Sequence, residues 1–316
     1  MCMRVAITGG TGFFGAHLAK VLVDNGHEVV TISRGKSPVP DWMEHNSRID
    51  IIHSQINDYH ALSEAFDGCS GVVHLAGINY ERGDQTFEAI HRQGTETVCT
   101  AAEEAGVDHL LLSSYLRARP GTRSGYLDSK WDAEQRCRSA ALPTTILKPA
   151  GIFGAGDQFI TQLARWLARL PIAPRLANRP TRLRPVAVED VVRVTVHALT
   201  TRSLIDETIP LLGPETVRLT ELVDRIGTAI ERSVRTVPMP VSLLKPHAWA
   251  FERLLEPPLL TRAGLDMLVE EMIEPAPAAE YLELTGLAPS QEPSIDYLSA
   301  ALSEIEPFGL GDLRRP

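Results

Sequence analysis

Residues 5–15 read Val5-Ala6-Ile7-Thr8-Gly9-Gly10-Thr11-Gly12-Phe13-Phe14-Gly15. A β-branched apolar run meets a cluster of glycines, and a stretch with Leu18, Val21 and Leu22 at helical spacing follows. Gly9, Gly12 and Gly15 fall at a GxxGxxG spacing. A glycine at the end of a strand lets the chain reverse tightly. A second lets the backbone approach a diphosphate, and a third lets helix and strand pack closely. The helix that follows would offer its unpaired N–H groups and the positive end of its dipole to that anion. The stretch therefore predicts a strand, a phosphate-holding turn and a helix, and Gly26 after Asn25 suits a left-handed cap at the helix end.

The same alternation continues outward from this start. Strands are expected at Arg4–Thr8, Glu28–Ser33, Asp50–His53, Gly71–Ala76, His109–Ser114 and Thr144–Lys148, with helices such as Phe13–Asn25 and Phe87–Ala105 between them. Such a βαβα order argues for an α/β fold, a parallel sheet covered by helices on both faces. The second half changes character. Residues 165–184 carry six arginines (165, 169, 175, 179, 182 and 184) and no acid. Residues 263–313 carry eleven acids and no Lys or Arg, and prolines gather at 238, 240, 246, 257, 258, 275 and 277. A smaller, mostly helical lobe is expected there. Arg165 and Arg169 with Trp166, Leu167 and Leu170 fit an amphipathic helix. The arginine run could contact an anionic substrate or a membrane surface, form an ordinary solvated face, or pair with the acidic segment. Phe251, Leu254, Leu255, Leu259 and Leu260 are expected in the lobe's core.

The chain has 316 residues, 44% of them hydrophobic and 22% charged, with a formal net charge of -9. This length supports a large core without disulfide staples, and an acidic chain has no general attraction for nucleic acid. No run of 18 apolar residues occurs, so an integral membrane segment is not expected, while peripheral association stays open. The N-terminal residues lack signal-peptide anatomy, and Cys2, Cys69, Cys99 and Cys137 form no CxxC pair or zinc spacing. The expectation is a reduced, cytoplasmic protein without a metal site, since the histidines include no HExxH.

Gly35-Lys36-Ser37 imitates the end of an NTP-binding loop, but Val30 stands where the partner glycine is required and Pro38 follows the serine. The end of the second strand, Thr31-Ile32-Ser33-Arg34-Gly35, is more informative. A site preferring NAD usually places a carboxylate there for the adenosine ribose hydroxyl. Here Ser33 and Arg34 take that place, and Arg34 could fork onto a 2′-phosphate. NADP is the expected cofactor, with NAD as the alternative. Farther on, Tyr126 and Lys130 are four apart in Gly125-Tyr126-Leu127-Asp128-Ser129-Lys130 and share one helix face. A phenol beside a carbonyl can exchange a proton during hydride transfer. Its ordinary pKa of about 10 is high for that task, and a neighbouring ammonium favours the phenolate. Lys130 could also hydrogen-bond the nicotinamide ribose. The chain contains only 5 Lys against 26 Arg, so a lysine at this spacing stands out.

These residues resemble the short-chain dehydrogenase/reductase superfamily, in its extended, atypical branch of NAD(P)-dependent epimerase/dehydratase-like proteins. The likeness runs through the glycine loop, His74-Leu75-Ala76-Gly77, Ser113-Ser114, Tyr126 with Lys130, and Lys148-Pro149-Ala150-Gly151-Ile152-Phe153-Gly154. Arg184-Pro185-Val186-Ala187-Val188-Glu189-Asp190-Val191 looks like that branch's return to the cofactor domain. Gly213-Pro214-Glu215 and the Pro-rich segment after it are most similar to the subgroup that includes the dehydrogenase-like accessory subunit of respiratory complex I. The resemblance implies a Rossmann-type doubly wound parallel sheet. Its NAD(P)-binding domain would span residues 1–155 and 184–216, and its substrate lobe 156–183 and 217–316. It implies that Gly9, Thr11, Gly12, Phe13 and Gly15 hold the pyrophosphate and that Leu75, Ala76 and Gly77 line the adenosine side. Tyr126 would be the acid/base with Lys130 its partner, and Pro149 and Ile152 would touch the nicotinamide.

Several positions depart from the family pattern. The catalytic Ser or Thr after the fifth strand is matched by Ser114, with Ser113 and then Tyr115 as alternatives. His91, in Ile90-His91-Arg92-Gln93-Gly94-Thr95, stands where the family has a structural Asn. Gln55, with Ile56 beside it, replaces the Asp that binds adenine. The implied function is an oxidoreductase or epimerase-like enzyme acting on a carbonyl or hydroxyl of a small molecule. Tyr126 would move the proton and Ser114 would polarise the oxygen. The alternative is an NADP(H)-binding structural, assembly or sensor protein with little turnover. The lobe shows no sugar-nucleotide motif, and both a monomer and a homodimer remain open.

Overall fold

A computed structural model describes residues 2–36, 38–177, 180–273 and 283–313. Met1, Ser37, Arg179, Glu274, Pro275, Pro277 and Glu280, which entered the sequence readings above, lie outside the described residues. In chain order the elements begin β1 (Arg4–Thr8), α1 (Phe13–Asp24), β2 (Glu28–Ser33), α2 (Asp41–Glu44), β3 (Ile49–His53) and α3 (Tyr59–Phe66). Then come β4 (Gly71–His74), a π-helical segment (Glu88–Gln93), α4 (Gly94–Glu104), β5 (His109–Ser113), α5 (Gly125–Arg138) and β6 (Thr144–Pro149). β7 (Ile152–Phe153), α6 (Ile160–Arg169), β8 (Ile172–Leu176), β9 (Arg182–Leu183) and β10 (Val186–Ala187) precede α7 (Val188–Thr201) and β11 (Thr208–Leu211). The chain finishes with β12 (Val217–Arg218), α8 (Leu219–Ala229), β13 (Arg235–Met239), α9 (Val241–Leu254), α10 (Arg262–Glu270) and α11 (Ile295–Ala301).

The chain divides into two compact units. Among the described residues the first holds 2–149, 188–211 and 283–287, and the second holds 150–187, 212–273 and 288–313. The boundaries expected at 155, 184 and 216 move to 149, 188 and 211. The reason lies in strand pairing: β7 pairs with β10 and not with the main sheet, while Leu211 ends the register of β11 on β6 opposite Pro149.

The first unit is built on a seven-stranded, all-parallel sheet in the order β11-β6-β5-β4-β1-β2-β3. Alternate residues of a strand face opposite sides. Ala6, Val30, Ile32, Val72, Leu110 and Leu112 accordingly share one buried face with Leu62 and Phe66 of α3, Val98 and Ala102 of α4, and Ala133 and Cys137 of α5. On the other face α1 packs with α7, and Gly71 abuts Leu199. Truncating a fully buried residue such as Leu110 to Ala would cost about 2–5 kcal/mol. Local signals mark the helix ends: Asp58 accepts the Ala61 N–H at the start of α3, and Gly26 follows α1 with φ +84°. The strand order reverses between β1 and β4, and in such sheets ligands bind beyond the strands' carboxyl ends at that point. One expectation needs correction. The stretch 87–105 is not a single α-helix, because Glu88–Gln93 is π-helical before α4 begins.

Among its described residues the second unit has no large sheet. Its strands form three pairs: β7 with β10 and β8 with β13, both parallel, and β9 with β12, antiparallel. The helices supply most of the remainder. The buried Asp157 carboxylate accepts the N–H groups of Phe159 and Ile160 at 2.7 and 2.6 Å, and so caps the start of α6. Arg165 pairs with Asp312 at 2.7 Å and Arg182 with Glu271 at 3.2 Å. For these two members of the arginine run, pairing with the acidic segment is therefore the outcome. Leu255 is buried as expected, but Leu254 is 61% exposed, because the inward side of α9 is taken by Leu244, Ala248 and Glu252.

Candidate active site

The loop after β1 is held by its own backbone. The Gly9 N–H donates to the Ile32 carbonyl at 2.7 Å, and the Gly12 N–H donates to the Gly9 carbonyl at 3.0 Å. Gly9 takes φ +75°, a conformation that disfavours a side chain. A Cβ on Gly15 would lie 2.4 Å from the Gly9 oxygen, so only glycine lets α1 approach the loop this closely. Gly12 caps α1 without a side-chain hydrogen bond, and the helix itself supplies no acceptor for the first-turn N–H groups. Thr11 and Phe13 flank this start and are half-buried. The cradle fits a diphosphate: open backbone, donors and a helix dipole, with no acid in the first turn.

At the end of β2 the exposed Arg34 donates to the Gln85 side-chain oxygen, a partner 51 residues away. The buried hydroxyl of Ser33 has no hydrogen-bond partner. Gln55 is exposed, whereas Ile56 is buried in the core and fills the space over Gly94, 2.7 Å from where a Cβ would stand. Ile56 thus occupies a packing position.

After β4 the chain is tied back to β1. The Leu75 N–H donates to the Thr8 carbonyl, and the Ala76 N–H to the Thr8 hydroxyl at 3.3 Å. His74 bridges the hydroxyls of Thr8 and Thr95 at 2.7 and 3.0 Å. Burial pushes its pKa down to about 3, so the ring is neutral. His91 makes a second bridge. Its Nε2 accepts the Ile78 N–H at 3.0 Å, which leaves Nδ1 as the protonated nitrogen, donating to the Ser129 hydroxyl at 2.8 Å. Ser129 in turn donates to the Tyr126 carbonyl at 2.8 Å. Burial first, then the Lys130 charge, holds His91 well below the usual imidazole range. A neutral histidine thus links the loop after β4 to α5. The π-helical segment carries it, as such bulges often do at functional sites.

Tyr126 and Lys130 lie on α5, both buried. The Tyr126 ring is enclosed by Phe87, His91 and Tyr115, with centroids 5.8, 5.8 and 5.9 Å away. The Lys130 ammonium donates to the Ser113 carbonyl at 3.1 Å. Gly77 sits between Lys130 and His91, with each of their nitrogens 3.3 Å from where its Cβ would be. The structure thus gathers Gly77, Ser113, Tyr126 and Lys130. The expected lowering of the phenol's pKa is reversed: burial raises it, and the ammonium is turned to a carbonyl. Burial also lowers Lys130, to about 8, against the pull of Glu134.

Ser114 is not gathered with Tyr126. Its hydroxyl donates to the Glu134 carboxylate at 2.5 Å. Glu134 is fully buried and also meets Lys148 at 2.8 Å, while Lys148 donates to the Ala118 carbonyl at 2.9 Å. Of the alternatives for the slot after β5, Tyr115 is the one whose ring stands beside Tyr126. Pro149 is buried and its carbonyl accepts the Leu116 N–H. Ile152 lies in β7 of the second unit, half-buried. The Glu134–Lys148 pair escaped sequence reasoning. Its signal was available: Glu134 continues the Tyr126–Lys130 spacing by one more turn, and Lys148 is another of the five lysines.

The model of the NAD dependent epimerase/dehydratase family matches residues 5–209. Among curated proteins, the ceramide reductase of Caulobacter vibrioides is 31% identical over 186 residues, covering 59% of this chain. This chain spans little more than half, 57%, of that relative's length. The mitochondrial NADH-ubiquinone oxidoreductase 40 kDa subunit of Neurospora crassa is 24% identical over 301 residues, 92% of this chain and 77% of that protein. Among solved structures, the UDP-glucuronic acid 4-epimerase of Bacillus cereus, in complex with UDP-glucuronic acid and NAD, superposes with a TM-score of 0.75. It is 20% identical and covers 96% of this chain and 99% of its own, a likeness of fold. On the match from the glycine loop to the last strand of the sheet, the chain belongs to the NAD dependent epimerase/dehydratase family, the extended branch of the short-chain dehydrogenases/reductases.

Proposed function

We propose that this chain is an NADP-preferring oxidoreductase or epimerase-like enzyme that acts on a carbonyl or hydroxyl of a small molecule, with Tyr126 as its acid/base. The observation that carries the reading is the buried phenol of Tyr126 one helical turn from the buried ammonium of Lys130, with Gly77 and Ser113 gathered beside that ammonium. The nicotinamide, when bound, supplies or accepts the hydride. Gly9, Thr11, Gly12, Phe13 and Gly15 would hold its diphosphate, and Leu75, Ala76 and Gly77 its adenosine side. Pro149, at the end of β6, would meet the nicotinamide end.

Tyr126 holds its proton at neutral pH, because burial disfavours the phenolate. That suits the half-reaction in which a carbonyl oxygen takes up a proton. Lys130, with a pKa of about 8, remains a cation near pH 7 and a donor for a ribose hydroxyl. Ser114, engaged by Glu134, holds the segment after β5, and Tyr115 takes the slot beside Tyr126 that polarises the substrate oxygen. The NADP preference rests on Arg34, a guanidinium at the end of β2 where no carboxylate stands. A charge-assisted bond to a 2′-phosphate is worth about 1.5–3 kcal/mol, roughly tenfold to a hundredfold in affinity.

Titration of NADPH and NADH against the wild type and Arg34→Ala tests the reading. The wild type should bind NADPH more tightly, and Arg34→Ala should lose that preference while NADH binding is unchanged. Absence of binding by either cofactor would sink it. The second reading, a cofactor-holding structural, assembly or sensor protein, is favoured by one observation: His91 and Ser114 are committed to holding α5. Tyr126→Phe separates the two. Loss of a measured reductase activity at unchanged NADPH affinity removes the second reading.

A further inference from the structure

Arg34 is exposed, yet it is fixed at both ends. Its backbone follows the last residue of β2, where the Ser33 carbonyl accepts the Ser54 N–H at 2.9 Å. Gly35 then takes φ +68°, a conformation that favours glycine, and turns the chain at once. His53 Nδ1 stands 3.0 Å from where a Gly35 Cβ would be, so the turn lies against the end of β3. At the far end of the side chain, the Arg34 guanidinium donates to the Gln85 side-chain oxygen. A long exposed side chain without such a tie would sample many rotamers.

Gln85 is itself set in place. It is 8% exposed and exchanges two backbone hydrogen bonds with Arg82, each 2.9 Å. Two residues on, the Phe87 N–H donates to the Glu81 carboxylate at 2.9 Å, and the Phe87 ring stacks on His91. The acceptor for Arg34 therefore belongs to a short closed loop anchored on the π-helical segment. A neutral amide oxygen occupies one of the five guanidinium N–H donors and none of the charge. Among the described residues no carboxylate pairs with Arg34. The hydroxyl of the preceding residue, Ser33, is buried without a partner at the same strand end.

We infer that Gln85 is a positioning residue that holds the Arg34 guanidinium ready for a 2′-phosphate and so sets the preference between NADPH and NADH. The inference rests on the NADP preference proposed above and names the residue through which Arg34 expresses it. Ordering a long side chain at the moment of binding opposes binding, and a guanidinium already in place avoids that cost. The four donors left over suit a phosphate, which takes several hydrogen bonds at once. A carboxylate at position 85 would act in the opposite direction, since it would take up the guanidinium's charge before the ligand arrives. NADH carries a hydroxyl in place of the phosphate, so its affinity does not depend on Gln85.

Titration of NADPH and NADH against the wild type, Gln85→Met and Gln85→Glu tests it, with Arg34→Ala and the pair Arg34→Ala with Gln85→Met completing a double-variant cycle. Gln85→Met keeps the length of the side chain and removes the acceptor, and should weaken NADPH binding about threefold to tenfold. Gln85→Glu should weaken it at least about tenfold. NADH affinity, unchanged in both, serves as the control of folding. With Arg34→Ala already present, Gln85→Met should alter neither affinity, a result that a merely structural role would not give. Three outcomes overturn the inference while the NADP preference stands: Gln85→Met binding NADPH as tightly as the wild type or more so, a loss shared equally by NADH, or the same loss with and without Arg34. A wild type that does not favour NADPH overturns the preference itself, and the inference with it.

Discussion

The two units of this chain handle polar groups in opposite ways. In the first, polar side chains lie inside and are interlocked: Thr8, His74 and Thr95 form one chain of bonds, and Ile78, His91, Ser129 and the Tyr126 carbonyl form another. A third, Ser114–Glu134–Lys148, is completely enclosed at the carboxylate. In the second unit Asp157 and Glu252 are buried, but other charges sit near the surface and pair across long stretches of sequence, as Arg182 does with Glu271. Buried polar groups must be satisfied or they cost stability, whereas exposed pairs are screened by water. The interlocked groups of the first unit should therefore respond sharply to substitution and pH, and the exposed pairs of the second hardly at all.

Glu134→Ala should show the largest effect. It leaves the Lys148 ammonium without its carboxylate and Ser114 without an acceptor, a loss of about 3–5 kcal/mol in urea unfolding. A loss below 1 kcal/mol would break the contrast between the units. Acid comes next. The folded chain holds His74 and His91 neutral, with His74 at about 3, while an unfolded histidine takes its proton at about 6.5. The unfolded state then binds more protons below that pH. Stability is full above about 6.5 and falls as the pH drops toward 3, by up to about 1.4 kcal/mol per unit for each ring. Unfolding midpoints measured between pH 7.5 and 4.5 should decline, and His74→Gln should flatten the slope. Gly15→Ala follows at about 1–3 kcal/mol, since its Cβ would meet the Gly9 oxygen at 2.4 Å, and it should also weaken dinucleotide binding in the same titration. Arg182→Ala should leave the melting temperature unchanged, because its pair with Glu271 is exposed on the arginine side. A clear drop there would narrow the difference between the units.

What the sequence made legible was local. The strand, glycine turn and helix at residues 4–24 follow from neighbours in the chain, and so does the i, i+4 pair Tyr126–Lys130. What it left hidden depends on residues brought together from afar. Arg34 meets Gln85 across 51 residues, and Ser114 turns to Glu134 because α5 packs beside β5. The raised phenol pKa could not be foreseen from the lysine alone, because burial of both groups decides it. Leu254 was misplaced for a related reason: apolar spacing on α9 fits either side of the helix, and only the packing against Leu176 and Leu265 chooses the inward one.

The π-helical segment from Glu88 to Gln93 carries a lesson about ancestry and alignment. A π-bulge amounts to one residue inserted into an α-helix, and each residue turns the helix by about 100°. Deleting one residue between Glu88 and Ile90 would let the segment relax to an α-helix and swing His91 away from Ile78 and Ser129, while Gly94 and Thr95 kept their places. A comparison that slides this helix by a single position would therefore assign the histidine's place to a neighbour. The register of the bulge decides which side chain inherits the link to α5, as much as residue identity does.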